Sequence, residues 1–112
     1  MDKERIKTLF IDNSVKYVMK LKVLLADIRG CISYKENEYL MAAYISAHSL
    51  NSMSVFLPIK EITAECREIE KTFKAWVDGK CEITLEDLKK MDDDIEKLGY
   101  MIENISLYYD ES

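Results

Sequence analysis

The sequence predicts an all-α protein, an antiparallel up-down four-helix bundle with a short N-terminal helix, on three observations. Only three Gly and one Pro occur in 112 residues, too little turn material for many short strands. Apolar residues recur at three- and four-residue steps over several long runs, the spacing of a helix that buries one stripe. The runs are joined by short connections, which place long helices as antiparallel neighbours. A chain of this length makes one core without disulfides, so residues 1–112 are read as a single domain.

The elements follow in order. Residues 1–12 form a short amphipathic helix through Ile6, Leu9 and Phe10, expected to lie across the bundle as a lid. It should end at Asp12-Asn13-Ser14, three short polar side chains that compete for backbone hydrogen bonds and can cap the next helix. The first bundle helix, 14–32, carries Val18, Leu21, Leu25, Ile28 and Ile32, widened by Val15 and Leu24, with Gly30 as terminator. The second, 34–57, is opened by Ser33 and Glu36 at capping-box spacing. Pro58 takes the first position of the third, 58–78, whose seam is Ile59, Ile62, Cys66, Ile69, Phe73 and Trp76, fraying at Asp78-Gly79-Lys80. A connection of almost no length at Pro58 forces an antiparallel hairpin. Thr84 caps the fourth helix, 85–109, with Glu86 and Asp87 in the favourable first turn. Its seam is Leu88, Met91, Ile95, Leu98, Ile102, Ile105 and Tyr109; Asp92, Asp93, Asp94, Glu96 and Lys97 make a solvated outer face.

Composition excludes several classes. A net charge of −5 argues against nucleic acid, which selects basic surfaces. No run approaches the roughly 18 apolar residues of a membrane span, and the charged start Met1-Asp2-Lys3-Glu4-Arg5 is not followed by the apolar run of a signal peptide. Cys31, Cys66 and Cys81 are odd in number without metal or redox spacing, so Cys66 reads as a small buried hydrophobe. Cytoplasm is the natural home. A helical ribonuclease using Arg and His on one helix would need an Arg near position 43, where Ala42, Ala43 and Tyr44 stand. A helical metal site would need two His or a Glu-x-x-His pair, and Ile45 occupies the position three before the sole histidine, His48.

His48 therefore decides the functional reading. Ala47, Leu50, Ser54 and Leu57 form the buried stripe of its helix, and His48 is one residue off it. One residue is about 100° of rotation, so the imidazole leaves the bundle at the flank of the buried face. It shares the outward face with Met41, Ile45, Ser52 and Val55. On the next helix Glu70 is one residue past the seam and can flank the contact on the same side, with Lys74 a turn further. A carboxylate accepting from one ring nitrogen fixes the tautomer and leaves the other lone pair facing water. The blander readings are an intrahelical Glu70–Lys74 pair, worth a few tenths of a kcal/mol, and Trp76, Phe73 and Tyr44 as core and edge packing.

These residues resemble a histidine-containing phosphotransfer (HPt) domain. That family's pattern is Ala or Val, the histidine, any residue, an apolar residue, then Lys-Gly and small residues; here it stands as Ala47-His48-Ser49-Leu50-Asn51-Ser52-Met53-Ser54. A cysteine eighteen residues after the histidine, a Glu or Gln twenty-two after it and a basic residue twenty-six after it correspond to Cys66, Glu70 and Lys74. Asn51 and Ser52 depart from the Lys-Gly pair. The resemblance implies a phosphoryl carrier and not an enzyme. His48 is the acceptor, Glu70 orients the ring, and Asn51, Ser52, Lys74 and Arg67 surround the phosphate. Met41, Ile45 and Val55 serve for docking. The implied partners are a response-regulator receiver domain and a sensor histidine kinase, with no nucleic acid and no membrane. The chain is expected to be a monomer with no metal or cofactor of its own, Mg2+ belonging to the receiver. The alternative is an HPt-like interaction module that binds a receiver or kinase without efficient transfer.

Overall fold

The computed structural model describes residues 3–30, 38–56, 59–79 and 82–105. The fold is all-α: among the described residues there are four helices, α1 (Lys3–Arg29), α2 (Glu38–Ser54), α3 (Lys60–Val77) and α4 (Leu85–Glu103), and no strand. They form an antiparallel bundle in which α2 packs on α1 and α3, and α4 closes the ring against the same two helices. The body is elongated, 49 × 21 × 21 Å. Among the described residues no helix is long and apolar enough to cross a membrane.

The N-terminal region departs from the expected lid. The chain runs as one helix from Lys3 through Asp12, Asn13 and Ser14 to Arg29, so the short helix of residues 1–12 is the first half of α1. Asn13 donates to the carbonyl of Leu9 at 2.8 Å, one turn back, and so supports the helix instead of leaving it. Phe10 and Ser14 are buried. Tertiary burial of this face outweighs the local preference of short polar side chains for a cap.

The helix ends have identifiable causes. Gly30 follows the last residue of α1 and returns its N–H to Ala26 and Asp27. α2 stops at Ser54, and the Phe56 N–H closes a tighter turn on Met53. α3 begins at Lys60 with Ile59 as N-cap. Gly79, at φ +68°, supplies the left-handed residue after α3. Thr84 caps α4 in a reciprocal box: its hydroxyl accepts from the Asp87 N–H, and the Asp87 carboxylate accepts from the Thr84 N–H. The Ser33–Glu36 box, Ile32, Leu57, Pro58, Lys80 and Tyr109 lie outside the described residues, as do Cys31 and Cys81.

The seams converge on one core: Val18, Leu21, Leu25 and Ile28 of α1; Ala43, Ala47 and Leu50 of α2; Ile62, Cys66, Ile69, Phe73 and Trp76 of α3; Leu88, Met91, Ile95, Leu98 and Ile102 of α4. Phe73 and Trp76 meet edge to face with centroids 5.4 Å apart. On α2 the core-facing residues are mostly small, including the buried Ser46 and Ser54. Ser46 donates to the Ala42 carbonyl and Ser54 to the Asn51 carbonyl, so neither hydroxyl is buried without a partner. Small side chains at a helix contact shorten the interaxial distance. At the edge of α2, side chains come within hydrogen-bonding reach of α3.

Candidate functional site

At that edge His48 of α2 meets Glu70 of α3. The ring Nδ1 lies 3.0 Å from Oε2 of Glu70. An ionised carboxylate only accepts, so Nδ1 carries the proton in this bond and the neutral ring keeps its lone pair on Nε2. The burial is unequal in a useful sense: the His48 side chain is 60% exposed and that of Glu70 18%. The acid is sheltered at the helix contact while the ring projects into solvent.

The other carboxylate oxygen is occupied as well. Asn51, one turn after His48, donates its side-chain amide to Oε1 of Glu70 at 2.8 Å. Glu70 thus accepts from two α2 side chains, one on each oxygen. Beneath the pair Cys66 is buried one turn before Glu70, and burial pushes its thiol up to about 12, partly offset by a hydrogen bond with Ser54. A thiol so held is a neutral packing group and not a second nucleophile.

The remaining candidates divide. Lys74 does not pair with Glu70; its Nζ is 3.3 Å from Asp78 and 5.9 Å from the centroid of the Tyr44 ring. The intrahelical Glu70–Lys74 reading is therefore excluded by geometry. Arg67 is exposed on the turn before Glu70 and takes no part in the hydrogen bonds of this cluster. Ser52 is exposed, and Met41, Ile45 and Val55 are 45%, 55% and 64% exposed on the outward side of α2 and its following turn. Asn51, read from the sequence as facing a phosphate, is half-buried and turned to Glu70, whose carboxylate on α3 accepts its amide.

One neighbour joins the site from outside the expected set. Tyr44, assigned to packing on sequence grounds, is half-buried with its ring centroid 6.2 Å from that of His48. Phe56 is 75% exposed on the turn that follows α2. The position four before His48 falls on its own helical face, and that spacing is the signal for Tyr44. Among the described residues no group of three or more His, Cys, Asp or Glu is placed to hold a metal ion.

The chain is similar to the CheA phosphotransferase domain from Thermotoga maritima, with a TM-score of 0.85 over 95% of this chain and 99% of that one. The fold is HPt-like. At 17% sequence identity the likeness concerns architecture. No protein-family model matches the sequence, and no curated protein matches it.

Proposed function

We propose that this protein is a histidine phosphotransfer carrier of a two-component phosphorelay, taking a phosphoryl group on His48 from a receiver-domain aspartate or a histidine kinase and passing it to another receiver. The observation that carries the reading is the bond between Nδ1 of an exposed His48 and the sheltered carboxylate of Glu70. The HPt-like fold supports it.

The chemistry asks little of the carrier. The Nε2 lone pair attacks phosphorus in line; the N–P bond forms as the bond from phosphorus to the aspartyl oxygen breaks, and its electron pair leaves on the aspartate. The ring gains positive charge, and the Glu70 carboxylate on Nδ1–H faces that charge as it develops. Glu70 therefore stabilises the transition state more than the ground state. Mg2+ belongs to the receiver and lowers the charge on the transferring group. Met41, Ile45, Val55 and Phe56 form the apolar surface on which the receiver sits. Lys74, beside Tyr44, supplies positive charge for a group carrying about −1.5 to −2.

The test is transfer of labelled phosphate to the intact chain from phosphorylated receiver domains and, separately, from phosphoramidate, a small donor that needs no docking. The expected product is acid-labile, alkali-stable and absent in His48→Gln. Absence of label from both kinds of donor overturns the proposal; label from phosphoramidate alone favours the non-transferring interaction module.

A further inference from the structure

We infer that Asn51 is a positioning residue: it anchors the Glu70 carboxylate from the side opposite His48, and so acts on the ring through Glu70 rather than on the phosphate. Three observations carry this. The amide of Asn51 donates to Oε1 of Glu70 at 2.8 Å while His48 Nδ1 is 3.0 Å from Oε2, so the carboxylate is held at both oxygens. Asn51 is half-buried, whereas His48 and Ser52 on the same stretch of α2 are exposed; its amide group is directed into the α2–α3 contact and away from the open side of the ring. Its backbone is tied down as well, because the fully buried Ser54 hydroxyl donates to the Asn51 carbonyl at 2.7 Å.

The physical consequence follows from how a carboxylate is fixed. Glu has three side-chain torsions, and its terminal one is broad. A single bond to an exposed imidazole leaves that torsion loose, and the bond is then shared with water. A second, sheltered donor on the other oxygen restricts the rotation and keeps Oε2 in place for Nδ1–H. A neutral donor does this without cancelling the carboxylate charge that faces the ring. A lysine at position 51 would instead bring an ammonium beside Glu70 and compete with the ring for it. In this chain Asn51 thus belongs to the orientation of the nucleophile, and its amide is not a phosphate ligand. The inference rests on the proposed function only for its consequence in transfer, since tautomer and nucleophilicity exist without any phosphoryl donor.

The experiment uses the full chain and Asn51→Leu, a substitution close in shape that removes both donor hydrogens. Long-range proton–nitrogen NMR reads the tautomer of the sole histidine directly. Diethyl pyrocarbonate, which acylates neutral imidazole, reads its nucleophilicity. In the parent, nitrogen shifts should report Nδ1–H. In Asn51→Leu they should move toward a mixture of tautomers, and the acylation rate should fall about fivefold, the usual net effect of one hydrogen bond. Glu70→Ala should move both readouts at least as far, and Asn51→Leu added to it should do nothing more, because a residue acting through Glu70 has no effect without it. Unchanged shifts and rate in Asn51→Leu overturn the inference, as does a further change in the Glu70→Ala background, which would mean that Asn51 acts on its own. A chain that gives the expected shifts but accepts no phosphate defeats the proposed function and leaves this inference standing. Urea melts of each variant exclude unfolding as the cause.

Discussion

The contacts Lys22–Glu96 and His48–Glu70 each join two helices, and they differ in what surrounds them. Lys22 of α1 reaches Glu96 of α4 at 2.9 Å, with side chains 42% and 62% exposed. His48 of α2 reaches Glu70 of α3 at 3.0 Å, with an exposed ring and a mostly covered acid. The distances are alike. At the first pair both ends are flexible side chains in water, where Coulomb attraction is screened and ordering entropy cancels much of the gain. At the second the acid is held on its far oxygen by Asn51 and is only 18% exposed. A contact across helices becomes a site when one partner is fixed by a third group and the other is left open to a ligand.

Substitutions separate the two regions from the core that both rest on. Phe73→Ala removes the largest fully buried side chain below the α2–α3 contact and should cost about 3–5 kcal/mol in urea denaturation. A loss below about 1 kcal/mol would mean that the seam collapses around the cavity without penalty.

Glu70→Ala should slow phosphoryl acceptance by about tenfold or more, as removal of orienting partners does at other sites. Stability should stay within about 1 kcal/mol of the parent. The reverse pattern, normal transfer with a large loss of stability, would make the His48–Glu70 pair a structural contact like the other one.

Cys66 provides a pH test of the floor of the site. Because burial raises the folded thiol from its ordinary value of 9.0 to about 12, folding favours the neutral form. The stability it contributes is complete below about pH 9 and is lost as pH climbs from there through 12. Alkylation of Cys66, followed by peptide mass, should therefore be negligible in the native protein near neutrality and appear on unfolding. Rapid native labelling would mean that the floor opens.

The smallest effect belongs to the exposed pair. Lys22→Ala and Glu96→Ala should each change stability by less than about 0.5 kcal/mol and leave phosphoryl acceptance unchanged. A slower acceptance in either would couple the α1–α4 face to His48 and erase the distinction between the regions.

Most of this arrangement is legible in the sequence. The four apolar seams need only helical periodicity, and nearly every seam residue among those described is buried. Histidine one step off its stripe, with glutamate one step off the next, suffices to place His48 beside Glu70. What escapes is decided by tertiary distance. Asn13 and Ser14 look like a helix boundary because local rules favour a cap there, yet burial of Phe10 and Val18 on either side and the bond from Asn13 to Leu9 carry α1 straight through. Asn51 has no distinct sequence signal. Its partner lies on another helix, so the bond to Glu70 is a tertiary contact that spacing along α2 does not reveal. Tyr44 is recoverable from face spacing, but an aromatic residue at such a position is equally compatible with packing.

The central claim is that Glu70 holds Nδ1–H of His48 and leaves Nε2 to take the phosphoryl group. Phosphorus–nitrogen NMR on the chain phosphorylated with nitrogen-15-labelled histidine tests it most directly, because coupling identifies the ring atom bonded to phosphorus. The account predicts a single phosphohistidine at position 48 with phosphorus coupled to Nε2 and the proton retained on Nδ1. Phosphorus on Nδ1, or phosphate on any residue other than His48, would contradict it.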